Sequence, residues 1–61
     1  MGTIIHKLQN FRAQKSAEIY YEVGKANPYH VHFYSEGSSA YTLRYADEPT
    51  ALFNAKLHCN Q

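Results

Sequence analysis

The sequence predicts an α+β fold: a three-stranded antiparallel meander with a C-terminal helix on one face and an N-terminal helix before it. Two observations carry this reading. Apolar residues alternate with polar ones in three short runs separated by turn-forming residues, and the last segment has an acidic, proline-containing start followed by helical spacing. At 61 residues the chain has room for one domain, 1–61, and a domain of that size buries only about 60% of its unfolded surface.

The first element is read over Thr3–Gln14. Ile4, Ile5, Leu8 and Phe11 fall on one arc at helical spacing, whereas strand alternation scatters them over both faces. The reading is therefore helix, with a fourth strand as the alternative.

From Ala17 the period becomes two. Ala17, Ile19, Tyr21 and Val23 alternate with Glu18, Tyr20 and Glu22, the pattern of a strand with one face buried. Gly24-Lys25-Ala26-Asn27-Pro28 signals a turn. In the second run Tyr29, Val31 and Phe33 alternate with His30, His32 and Tyr34, and in the third Tyr41, Leu43 and Tyr45 alternate with Thr42 and Arg44. Glu36-Gly37-Ser38-Ser39 separates them.

Matching apolar to apolar residues across the strands requires loops of odd length. With loops at 24–28 and 37–39, Val23 lies opposite Tyr29, Ile19 opposite Phe33, and Phe33 opposite Leu43. The other face becomes a polar grid: Glu22 beside His30, then Tyr20, His32 and Arg44 in a row, then Glu18, Tyr34 and Thr42. The chain closes with Asp47-Glu48-Pro49-Thr50 and a helix over Ala51 to His58. Ala51, Leu52, Ala55 and Cys59 form a stripe suited to the sheet. Phe53 and Leu57 form a second stripe, suited to the N-terminal helix or to another subunit.

Catalytic motifs are missing from this pattern. Cys59 has His58 only as a sequence neighbour, which points about 100° away on a helix. Glu18 and Glu22 share an open sheet face where nothing apolar raises a carboxyl pKa for acid catalysis, and the three Gly residues make no phosphate loop. The expectation is a protein that is not an enzyme and takes no cofactor. His30, His32 and Glu22 are ligand-type groups on one face, but the guanidinium of Arg44 beside them disfavours a dication, so no metal site is assigned; His-based metal binding stays as an alternative.

Tyr20, His30, His32, Tyr34 and Arg44 offer stacking and cationic groups, which opens nucleic-acid binding as a further alternative. The stretch Pro28-Tyr29-His30-Val31-His32-Phe33 resembles the Gly-Pro-x-His segment of double-stranded-RNA-binding domains, whose element order matches the one read here. That family grips phosphate with a Lys-Lys pair at the start of its last helix, where this chain has Glu48-Pro49. Phage-integrase arm-binding domains likewise combine three strands with a C-terminal helix. The formal charge of +1 lacks the excess that drives non-specific nucleic-acid affinity.

The remaining class is a non-catalytic binding module, acting on a protein partner or on a second copy of itself as a homodimer. Six Tyr among nine aromatics suit an interface, and Phe53 with Leu57 is the candidate contact. One cysteine and no apolar run long enough for a signal peptide or a membrane span point to the cytoplasm. Small chains of this type include phage and mobile-element regulators and inhibitors that occupy a partner's surface.

Overall fold

A computed structural model describes residues 2–60 as four antiparallel strands followed by one helix. β1 (Thr3–Asn10), β2 (Lys15–Tyr21), β3 (Tyr29–Ser35) and β4 (Tyr41–Tyr45) form one sheet in chain order, and α1 (Glu48–Cys59) packs on one face. The α+β class, the meander and the C-terminal helix agree with the sequence. The N-terminal helix does not: its residues form a fourth strand, and the element order shared with RNA-binding domains is lost with it.

The reason lies in β1 itself. Its pairing with β2 shifts between Ile4 and His6, so a bulge inserts Ile5 and breaks the period of two. Apolar residues at positions 4, 5 and 8 then imitate helical spacing. The strand closes at Asn10, whose Oδ1 accepts from the Ala13 N–H (3.1 Å), and Gln14 takes a left-handed φ of 56° to turn the chain into β2.

The three predicted strands keep their faces but pair two residues away from the expected register. Ile19 lies opposite Val31, Ala17 opposite Phe33, and Val31 opposite Leu43. The β2–β3 loop is therefore 22–28 and the β3–β4 loop 36–40. Both remain odd in length, so the side chains that stay within the strands keep their predicted faces. Pro28 explains the first shift: it accepts from the Glu22 N–H (2.9 Å) but has no N–H to return, so paired strand stops there. Val23, expected inside, is pushed into the turn and is exposed.

Ala17, Ile19, Val31 and Phe33 from the sheet and Ala51, Ala55 and Cys59 from the helix make the core. The small Ala51 and Ala55 let α1 approach β2 closely, and full burial of Ile19 and Val31 contributes about 1.5–3 kcal/mol each. Asp47 caps the helix by accepting from the Thr50 N–H (2.8 Å), with Pro49 in the first turn.

The helix is not centred on the sheet. It packs most on β2 and least on β4. Two polar bonds hold it toward β1: His6 Nε2–H donates to Glu48 Oε2 (3.1 Å), and Asn10 Nδ2–H donates to the Cys59 carbonyl (2.6 Å). A helix about 10 Å across covers roughly two strands spaced at about 4.8 Å. On β4 only Tyr45 packs against the core, and Tyr41 and Leu43 are left uncovered.

Candidate functional site

Two surfaces collect the residues singled out by sequence. On the sheet face away from α1, Tyr20, His30 and Arg44 form one row and Glu18, His32 and Thr42 the next, with Tyr34 beyond. Arg44 therefore lies across from His30, not beside His32 as expected. This is the same two-residue displacement, and it makes Glu22 a hub. Its Oε1 accepts from His30 Nδ1–H (3.2 Å) and from Arg44 Nη2–H (2.9 Å). Partial burial opposes ionisation of Glu22, but the Arg44 and His30 interactions outweigh it and hold the carboxyl below its ordinary range.

Glu18 is a second hub. It accepts from the Tyr20 hydroxyl (3.0 Å) and the Tyr34 hydroxyl (3.5 Å), and Lys7 Nζ lies 4.0 Å from its other oxygen. The hydrogen bond to Glu18 raises the Tyr20 phenol above its usual value, because the carboxylate prefers the protonated donor. The rings form a contiguous array: Tyr20 meets His32 edge-on at 5.0 Å, His30 tilts against His32 at 4.6 Å, and Tyr34 stacks on His32 at 6.2 Å.

All five predicted residues of this face are thus brought together, but the network satisfies itself. Two carboxylates stand where a nucleic-acid phosphate would approach. Arg44 also occupies the Glu22 oxygen that a cation needs, and among the described residues no group of three or more His, Cys, Asp or Glu is arranged around a common point. Cys59 is buried and its thiol is pushed up by burial, which disfavours the thiolate a nucleophile requires; Lys15 acts in the opposite direction more weakly.

The second surface lies between α1 and β4. Phe33, Tyr41, Leu43, Tyr45, Asn54, Leu57 and His58 line a groove of about 140 Å³. Its apolar walls face water: Tyr41 is 51% exposed, Leu43 50% and Leu57 45%, and Phe53 on the adjoining helix face is 65% exposed. Phe33 stacks on Tyr41 at 4.9 Å, and the His58 ring meets Phe33 edge-on at 5.0 Å while its Nε2–H donates to the Tyr34 carbonyl (3.0 Å). His58 is thereby fixed as a wall of the groove. Burial raises the Tyr45 phenol, with a smaller contribution from Tyr41.

Of these residues, sequence reasoning selected Phe53 and Leu57 and missed Tyr41 and Leu43. It placed those two in the core because the alternation identifies the side of the sheet that faces the helix, not how far the helix reaches across it. A concavity of about 340 Å³ also occurs at the β1–β2 turn, among Gln9, Asn10, Phe11, Gln14, Lys15, Ser16 and Glu36, and it brings no His or Cys together. None of the helices among the described residues is long and apolar enough to cross a membrane. Comparisons with protein-family models, with curated proteins and with solved structures each find no match for this chain.

Proposed function

We propose that this chain is a non-catalytic binding module whose ligand is protein and whose contact surface is the groove between α1 and β4. The observation that supports this is the uncovered apolar surface of Tyr41, Leu43 and Leu57 in the groove, whose lining carries no Asp, Glu, Lys or Arg, with exposed Phe53 one helical turn before Leu57. Exposed apolar surface of this kind, rimmed here by Asn54 and His58, marks interaction sites more often than it marks unused surface. The module acts by occupying a partner's surface, the mode of a small regulator or inhibitor, and the reduced, buried Cys59 suits the cytoplasm. The open sheet face serves as a rigid support, its rings held in place through Glu18 and Glu22.

The test compares baits in an affinity capture from the native host, read by mass spectrometry for protein and by sequencing for nucleic acid. Wild type and Leu43→Asp should differ in the proteins retained, while Arg44→Gln should behave as wild type. Retention of nucleic acid that is lost with Arg44→Gln and kept with Leu43→Asp contradicts the groove and moves the function to the open face.

A further inference from the structure

We infer that the occupant of the groove is a second copy of this chain, in a two-fold dimer where the Phe53–Leu57 ridge of each protomer lies on the Tyr41–Leu43 face of its partner's β4. The inference rests on the groove reading above and names its partner.

The chain exposes two apolar features that match each other. The groove has neutral walls and needs a neutral, apolar occupant. The helix offers one, because Phe53 and Leu57 are four residues apart and form a single ridge. One chain cannot satisfy both features by itself. Leu57 already forms a wall of the groove, and Phe53 lies on the side of the helix opposite the buried Ala51 and Ala55, facing away from its own sheet. The N-terminal helix that would have covered this ridge does not exist, since that segment is β1 on the far edge. A two-fold axis places ridge on groove and groove on ridge at the same time, so the assembly closes and leaves neither feature over.

The dimensions agree. Four strands are about as wide as two helices side by side, and each sheet has only one helix, set toward β2. The partner's helix supplies the second, giving a three-layer arrangement of sheet, helix pair and sheet. Fully burying an aromatic side chain removes about 150–250 Å² from water, so the four half-exposed side chains supply on the order of 400 Å² per protomer. That is about half of the ~800 Å² per partner of a standard interface. The interface therefore lies at the weak, concentration-dependent end of the range, bordered by Thr50, Asn54, Lys56 and His58, and Asn54 Nδ2–H donates to the Thr50 carbonyl (2.8 Å).

Sedimentation velocity over concentrations up to about 1 mM decides the matter. Wild type should sediment as a dimer. Leu43→Asp in the groove and Phe53→Asp on the ridge should each raise Kd about a hundredfold or more, because symmetry places each substitution in the interface twice. Circular dichroism should show both variants folded, since neither side chain is in the core. Val23→Asp, on an exposed turn, should leave the dimer intact. Mixing the Leu43→Asp and Phe53→Asp chains should restore a weaker heterodimer, because one ridge and one groove remain native. A wild type that stays monomeric throughout overturns the inference while leaving the groove open to another protein, which the capture experiment reads separately. A dimer that survives Phe53→Asp overturns the ridge-in-groove arrangement in favour of edge pairing between β4 strands.

Discussion

The outer strands of this sheet meet the helix in different ways. On β1, Leu8 packs against the core, and directional bonds from His6 to Glu48 and from Asn10 to the Cys59 carbonyl fasten the helix at its first turn and its last. On β4, Tyr45 packs against the core but Tyr41 and Leu43 turn half-exposed apolar side chains toward the helix layer, and among the described residues the polar tie on that side is His58 to the carbonyl of Tyr34, on the neighbouring β3. The difference shows what sets the helix's lateral position. Apolar contacts tolerate sliding, whereas hydrogen bonds fix a distance and an angle. Two polar residues on an edge strand fix both ends of the helix, and Tyr41 and Leu43 of β4 stay on the surface.

That contrast can be broken most strongly at the centre. Ile19→Ala should cost about 2–5 kcal/mol, a large part of the 3–9 kcal/mol or so that a domain of this length has available. Leu43→Ala, half exposed in the monomer, should cost about 1 kcal/mol when measured at concentrations where the chain is monomeric. Equilibrium urea denaturation separates the two values; equal costs would mean that β4 is covered after all.

The polar fastening comes next. Asn10→Asp keeps the oxygen that accepts from Ala13 but loses the N–H that reaches Cys59, so it isolates the bond to the helix end. It should cost about 1 kcal/mol, seen first as faster amide hydrogen exchange in the last helical turn. Exchange that stays as slow as in wild type would show that packing alone holds the helix.

The smallest expected effect is on pH dependence. Hydrogen bonds from Thr50 hold the Asp47 carboxyl below its ordinary value, and the Glu22 carboxyl is held down as well. A carboxyl depressed in the folded state contributes stability that is fully present above its unfolded pKa, near 4, and is lost as the pH falls through the lower folded value. Asp47→Asn, which keeps a capping oxygen, and Glu22→Gln should each flatten the fall in Tm below pH 4. Asp47→Ala should lower Tm across the whole range, because the cap itself is gone. A Tm profile unchanged by all three substitutions would remove these carboxylates from the account.

Much of this fold was legible in the residues. Alternation in 17–23, 29–34 and 41–45 located three strands and assigned the correct face to the side chains within them, Val23 excepted, and the Asp47 to Thr50 start located the helix. What escaped were features that alternation does not encode. The bulge at Ile5 gave a strand the spacing of a helix, and Asn10, which begins the turn after it, was the signal that went unused. Pro28 ended a ladder two residues before the apolar pattern did, which moved Tyr20 from His32 to His30, and the longer 36–40 loop moved Arg44 from His32 to His30. The open face was identified as a set but not pair by pair. The groove was half identified, because the ridge of Phe53 and Leu57 is a property of one helix, whereas exposure of Tyr41 and Leu43 depends on where that helix is fastened.

If the ridge of one copy fills the groove of another, an isotope-filtered nuclear Overhauser experiment on mixed labelled and unlabelled chains reads that contact itself. Contacts between the Phe53 ring of one chain and the Leu43 methyls of the other are the predicted result. Intermolecular contacts from Leu43 to Leu43 without any from Phe53, or no intermolecular contacts in the millimolar range, would contradict it.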